Sequence, residues 1–204
     1  LIFYKTEKMK YIIKTILIAV LITSCNQGTK KDQNKTGKED HTSHKKAAPS
    51  KKKVLSPHTY AMSMVGDAHV HIDYSSPGVR GRIIFGGLLA YDQVWQAGAH
   101  KATWLETNKS LTIAGKELKA GKYGVFMIPS KGEWTIIFNR HWDQHGKDEY
   151  DEKEDVLRFK VKAIVSKTIT EHLKYQVKKQ SNKKGIITFA WEKIIFEFPF
   201  KINQ

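Results

Sequence analysis

From Val54 onward the chain is written in short runs of Val, Ile, Phe, Tyr, Trp and Thr that stop at Gly, Pro, Asn or Asp. Several runs alternate with a period of two. In Val70-His71-Ile72-Asp73-Tyr74 apolar and polar residues separate onto two faces, and Ile194, Phe196, Phe198 and Phe200 share one face. A strand turns successive side chains to opposite sides, so this pattern asks for one buried and one wet face. The expected strands are Tyr60–Val65, His69–Tyr74, Val79–Phe85, Thr103–Thr107, Leu111–Ile113, Tyr123–Ile128, Trp134–Asn139, Val156–Val165, His172–Lys178, Ile186–Ala190 and Ile194–Phe198. Many short strands with turn signals predict an all-β fold, a single antiparallel β-sandwich or jelly-roll-like domain over residues 54–204. About 150 residues suffice to bury roughly 70% of the unfolded surface in one core. The best helical segment is a turn or two around Gln144–Glu154.

Leu118-Lys119-Ala120-Gly121-Lys122-Tyr123 has the spacing of a tyrosine corner. There a Tyr opening a strand reaches back to the backbone a few residues upstream. Gly121 would supply the unusual backbone angle.

The residues before Val54 are of another kind. Residues 26–53 are Lys, Asn, Gln, Thr, Ser and Gly with almost nothing apolar, a composition expected to stay disordered because it has little to bury. The formal net charge of the chain is +15, and residues 25–53 carry +6 of it. That stretch contains no aromatic residue, which argues for a solvated, self-repelling tether and against a nucleic-acid-binding arm. Ahead of it runs Tyr11 to Ile22, apolar apart from Lys14 and Thr15 and preceded by Lys5, Lys8 and Lys10. It is well short of the ~20 residues of a spanning helix. A basic segment, a short apolar run and small residues before a cut site make a secretory signal.

Ile22-Thr23-Ser24-Cys25 resembles the lipobox of bacterial lipoproteins. That resemblance implies lipidation of Cys25, cleavage just before it, and a mature protein held to a membrane of the cell envelope, facing the periplasm or the cell surface. Residues 1–24 are then the signal peptide, with 1–8 reading as an extension ahead of a natural start at Met9. Residues 25–53 are the lipidated cysteine and its tether. Cys25 is the sole cysteine, so neither disulfides nor metal thiolates are available to the domain.

The middle of the domain carries longer motifs: Tyr74-Ser75-Ser76-Pro77-Gly78-Val79-Arg80-Gly81-Arg82, Ile84-Phe85-Gly86-Gly87-Leu88, Tyr91-Asp92-Gln93-Val94-Trp95-Gln96-Ala97-Gly98-Ala99-His100-Lys101-Ala102-Thr103, and Trp134-Thr135-Ile136-Ile137-Phe138-Asn139. With Ala120-Gly121-Lys122-Tyr123 they resemble the DUF2911 family of exported proteins, common in Bacteroidota, over about Met64 to Phe198. The resemblance implies export and no particular activity. His100 departs from it, because the family pattern usually has Asn after Gly-Ala.

Two constellations could carry function. Histidines offer a metal reading: His69 and His71 project from one strand face, and His100, His141 and His145 lie in loops. Zinc or copper held by His71, His100 and His145, with His69 or His141 as substitutes, is one expectation. The other is a small polar or glycan-like ligand bound by loop residues Arg80, Arg82, Trp95, His100, Thr103, Asn139 and Trp142, since loops on a rigid sandwich commonly carry binding residues. Binding without catalysis is the leading expectation. No Gly-x-Ser-x-Gly elbow surrounds Ser75 or Ser76, and the acids of Asp148–Asp155 lack the EF-hand spacing.

Overall fold

The computed structural model describes residues 54–203. Cys25, the apolar run before it and the Lys-rich tether lie outside the described residues. Ten strands run in chain order: β1 (His58–Val65), β2 (Ala68–Ser75), β3 (Thr103–Thr107), β4 (Leu111–Ile113), β5 (Lys116–Leu118), β6 (Gly121–Ile128), β7 (Glu133–Asn139), β8 (Asp155–Lys162), β9 (Ile164–Lys179) and β10 (Lys184–Ile202). They form two antiparallel sheets, one of order β1-β2-β3-β6-β7-β8 and one of order β5-β4-β10-β9. This is the expected all-β sandwich, built of six and four strands. Among the described residues there is no α-helix. The Gln144–Glu154 region is turns followed by a single 3-10 turn, Glu152–Glu154, with the Asp151 carboxylate accepting from the Lys153 amide.

The inner faces interlock through aromatic rings. Trp134 on β7 meets Phe189 and Phe196 on β10 with ring centroids 5.7 and 5.5 Å apart. Trp191 stacks on Trp95 at 5.6 Å, and Phe85 meets the edges of Trp134 and Trp191. Trp95 and Phe85 belong to the long connection between β2 and β3, so that connection is threaded into the core. The expected strand Val79–Phe85 is therefore absent. Arg80 and Gly81 take positive φ, and the segment folds into turns that point Ile84 and Phe85 inward. Strand-like composition served here to plug a sandwich rather than to pair.

Two other differences come from irregular pairing. The expected runs Ile186–Ala190 and Ile194–Phe198 are one strand, β10, which keeps pairing with β9 through register shifts on either side of Glu192. Glu192 has a φ of 54°, as a bulge residue does. The short strand β5 was not expected; it exists because the Ala114-Gly115 turn folds Lys116–Leu118 back onto Leu111–Ile113.

The tyrosine corner sits at the crossing from β5 in one sheet to β6 in the other. Tyr123 donates its hydroxyl proton to the Lys119 carbonyl at 3.1 Å. Gly121 has a φ of 153°, and a Cβ there would come within 3.2 Å of that hydroxyl. Tyr175 on β9 pins the other end of the structure, donating to the Ala97 carbonyl at 2.7 Å. Burial raises its hydroxyl well above the ordinary tyrosine range, with a further push from Tyr74.

Because the folded pKa of Tyr175 is raised, the unfolded chain loses this proton first. Its contribution to stability is intact below about pH 10 and falls as pH rises through the folded pKa. Tyr175→Phe should cost about 1 kcal/mol at neutral pH from the lost hydrogen bond. It should also flatten the alkaline fall of stability in urea unfolding curves; an unchanged slope would contradict a buried, protonated hydroxyl.

Candidate functional site

The outer face of the six-stranded sheet carries the one cluster where the sequence-predicted histidines meet aromatic and charged neighbours. Alternation along β2 turns Val70, Ile72 and Tyr74 into the core and His69, His71 and Asp73 outward. Register then selects the neighbours. Asp73 faces Tyr60 on β1 and Trp104 on β3, while His71 faces Met62 and Glu106. Diagonal neighbours across a twisted sheet lie within reach of rings, and here they stack. The His71 imidazole lies between Tyr60, at 5.3 Å and 16°, and Trp104, at 5.1 Å and 15°.

The row continues across the next strand. Glu106 pairs with Lys122 of β6, and the Lys122 ammonium sits between two indoles, 3.5 Å from the Trp104 ring centre and 3.6 Å from that of Trp142. A cation held between rings contributes about 0.5–2 kcal/mol per contact, more as it is desolvated. Trp142 reaches this position because Gly124 lets its loop lie on β6. A Cβ at Gly124 would come 3.2 Å from Trp142 Cα, 3.1 Å from the His141 carbonyl oxygen and 2.9 Å from the Phe126 ring. The loop is otherwise held from within. Asn139 receives the His141 amide on its side-chain oxygen and donates to Asp155 and to the Asp151 carbonyl. Gln144 donates to the His141 carbonyl and receives the Glu149 amide. Tyr150 donates to Asp155 at 2.9 Å, and burial followed by that carboxylate raises its hydroxyl well above the usual range.

Beside the ring row lies a small hollow of about 100 Å³, whose walls include His58, Asp73, His100, Lys101 and Trp104. Asp73 is its only acid, with His58 Nε2 at 2.8 Å from one carboxylate oxygen and His71 Nε2 at 3.9 Å from the other. His71 Nε2 is buried and has no hydrogen-bond partner among the described residues. His100, whose φ is 62°, arrives from the far side on a tight turn, and its carbonyl accepts the Gly146 amide at 2.8 Å. The neighbouring Lys101 pairs with Asp143 at 3.3 Å.

The structure sorts the expected site residues sharply. Trp142 and His71 belong to the ring row, and His100 to the hollow. Trp95 is 4% exposed and donates its indole N–H to the Gly98 carbonyl. Thr103 is fully buried, donating to the Ala97 carbonyl at 3.0 Å, and Asn139 is fully buried in the network above. Arg82 folds back onto its own turn, donating to the Gly78 and Val79 carbonyls at 2.7 and 3.1 Å. Arg80 lies on that same turn with its amide on Glu171. These five build the loops that hold the site and do not line it. Ser76 donates its hydroxyl to the Leu173 carbonyl at 2.7 Å, so it is also a fastening.

The metal expectation fares differently. His71 is stacked in the ring row, His145 pairs with Asp148 at 3.3 Å, and His141 with Glu149 at 3.3 Å. Among the described residues, no three or more His, Cys, Asp or Glu side chains are grouped to hold a metal ion. His71, His100 and His145 are thus not brought together as a centre. Sequence reasoning overlooked His58, Tyr60, Trp104 and Lys122 at this site. The alternation of His58, Tyr60, Met62 and Met64 against that of β2 was the signal that could have placed the first two.

A two-sheet sandwich with a ring row and a histidine-lined hollow on its outer face defines a class of architecture rather than an activity. The chain belongs to the family described as protein of unknown function (DUF2911), whose model matches residues 56–200. No curated protein and no solved structure matches the chain.

Lys122→Met should leave the fold intact and cost about 0.5–2 kcal/mol, with Trp142 becoming more mobile and more solvent-exposed by fluorescence. Gly124→Ala should unseat the same loop by collision, giving the same fluorescence change with Lys122 still present. A Gly124→Ala protein with unaltered Trp emission would refute the close approach.

Proposed function

We propose that this protein is a lipid-anchored binding module of the cell envelope, without catalysis of its own, that takes a small polar or glycan-like ligand in the hollow beside the ring row. The observation that carries the reading is convergence. The Gly98–Ala102 turn, the outward face of β2 and Trp104 of β3 approach from separate elements and wall a single hollow. Its walls mix an indole with a carboxylate, an ammonium and imidazoles, the mixture of apolar and polar groups that orients a small ligand. The rigid strands beneath fix that geometry, and the Ser76 hydroxyl next to the hollow is spent on the Leu173 backbone carbonyl.

Anchoring rests on Cys25 following the apolar run, and the Lys-rich tether would hold the domain clear of the bilayer. Cys25→Ala should shift the protein from the membrane fraction to the soluble fraction; retention in membranes would end the lipoprotein reading.

Ligand binding is tested by thermal shift across a panel of mono- and oligosaccharides. A ligand at 100 times its Kd stabilises by about 2.7 kcal/mol, which raises the Tm by several degrees. Asp73→Asn and Trp104→Phe should abolish the shift while unfolding cooperatively. A panel without any shift, or a shift that both variants preserve, would overturn the proposed site.

A further inference from the structure

β1 and β2 pair without a register shift over their whole length. On the outer face this sets Met62 opposite His71 and Met64 opposite His69. Directly opposed side chains on one face start from Cβ atoms about 4.5–5.5 Å apart, and the two imidazole rings lie 5.9 Å apart along β2. Two thioethers and two imidazoles thus occupy four adjoining positions. Both methionines are reachable from solvent: Met62 and Met64 are 48% and 50% exposed, whereas Met127 is 1% exposed in the core. Edge strands are ordinarily blunted with charged side chains, lysine above all. β8, the far edge of the same sheet, follows that rule with Arg158, Lys160 and Lys162 at alternate positions. β1 is also an edge, yet its outward positions carry Tyr60, Met62 and Met64, and the strand has no Lys, Arg, Asp or Glu.

Packing readies these donors. The His71 ring is held between Tyr60 and Trp104, so its orientation is fixed before any ligand arrives. Its Nε2 is buried and lies 3.9 Å from the Asp73 carboxylate. A metal-bound imidazole commonly turns its other nitrogen to a carboxylate, which leaves Nδ1 of His71 as the ligating atom. The His69 amide donates to the Asn108 side chain at 2.7 Å, fastening the start of β2. Each methionine has three rotatable bonds and a polarizable sulfur, so it can close on an ion from a half-exposed position.

We propose that Met62, Met64, His69 and His71 form a surface site for copper(I). The donor set selects the ion: thioether sulfur is a soft ligand that suits Cu(I), imidazole suits copper as well, and Mg²⁺ or Ca²⁺ would want oxygen donors. The four donors are neutral, so the bound ion keeps its single positive charge, and Glu106 and Asp73 stand beside the site to offset it. This set needs neither His100 nor His145 and takes half its donors from sulfur. It is independent of the ligand hollow, which lies toward the opposite end of β2.

The test uses the full chain carrying Cys25→Ala, which removes the sole thiol. The protein is kept anaerobic with ascorbate and offered Cu(I) as its bicinchoninate complex, whose colour fades as the protein takes the ion. It should withdraw a single Cu(I) ion per chain. Met62→Leu combined with Met64→Leu nearly conserves volume, so the fold should persist. Its affinity should fall at least about tenfold, a loss that even an outer partner of a metal ligand can cause. His145→Ala should withdraw copper as the parent does. In spectra of methyl-labelled methionine, Cu(I) should move the Met62 and Met64 signals and leave that of Met127 in place. Absence of withdrawal by the parent, or unmoved Met62 and Met64 signals, would overturn the site. Equal withdrawal by the double methionine variant would also overturn it, by assigning the copper to histidines elsewhere, such as His41 and His44. Each of these failures leaves the ligand hollow standing.

Discussion

The interlock of Trp134, Phe85, Trp95 and Trp191 is the contact on which the rest of the structure depends. A sandwich needs only its strands to bury their inner faces, and β7 and β10 do so through Trp134, Phe189, Phe196 and Trp191. Phe85 and Trp95 come from the connection between β2 and β3. Each buried aromatic of this size contributes several kcal/mol of hydrophobic stabilisation. That energy ties the connection into the core at two points, and Tyr175 holds it at a third through the Ala97 carbonyl. The turn that follows, from Gly98 to Ala102, is thereby fixed relative to β2 and β3. Close packing tightens it further: a Cβ at Gly98 would lie 2.6 Å from the Thr103 hydroxyl oxygen. The wall of the hollow is an outcome of core packing, although it stands on the surface.

The loop after β7, which brings Trp142 to the ring row, is fixed by its own buried polar side chains. Asn139 and Gln144, both almost fully buried, satisfy the backbone of the loop after β7. Lys122 then clamps Trp142 from below. The Asp155 carboxyl belongs to this arrangement. Burial raises its pKa, while its hydrogen bonds from Asn139 and Tyr150 and the nearby Arg158 pull in the lowering direction. Burial prevails, so the folded state binds this proton more readily than the unfolded one. Stability from this group is greatest in acid and declines as pH rises between the ordinary and the raised pKa. The buried carboxyl is tolerated because Asn139 of β7 and Tyr150 of the loop donate to it at 2.8 and 2.9 Å and Arg158 of β8 lies 3.4 Å away.

How much of this was legible in the sequence depended on whether a residue's role was local. The two-residue period of Val70–Tyr74 implied both a strand and the common face of His69, His71 and Asp73. The Leu118–Tyr123 spacing implied a turn fastened by Tyr123, and the contact is present. Val79–Phe85 misled because β-branched and aromatic residues suit a core plug as well as a strand, and the deciding feature, the positive φ at Arg80 and Gly81, is a backbone fact. Thr103 and Asn139 looked like ligand-binding loop polars. They are buried because the loop backbones around them need partners, a demand visible only once the loops are placed. Lys122 carried no local signal at all; it enters the site through the pairing of Glu106 with Lys122 across β3 and β6.

The geometry of the ring row also limits how recognition can work. Tyr60, His71 and Trp104 stack on one another, and Lys122 occupies a face of Trp104 and of Trp142. The π-faces of Trp104 that would otherwise receive a flat sugar face are therefore taken by protein. A ligand in the hollow meets the edge of that indole, whose quadrupole presents positive hydrogens. Edges attract oxygen-rich and anionic groups, whereas faces attract C–H groups and cations. The hollow beyond the edge is lined by the His58 and His100 imidazoles, the Asp73 carboxylate and the Lys101 ammonium, which pairs with Asp143 at 3.3 Å. Ring orientation and the polar lining of the hollow are thus set by different elements of the fold. The His71 imidazole couples them: its ring is held in the stack, and its unpartnered Nε2 lies 3.9 Å from the Asp73 carboxylate in the wall of the hollow.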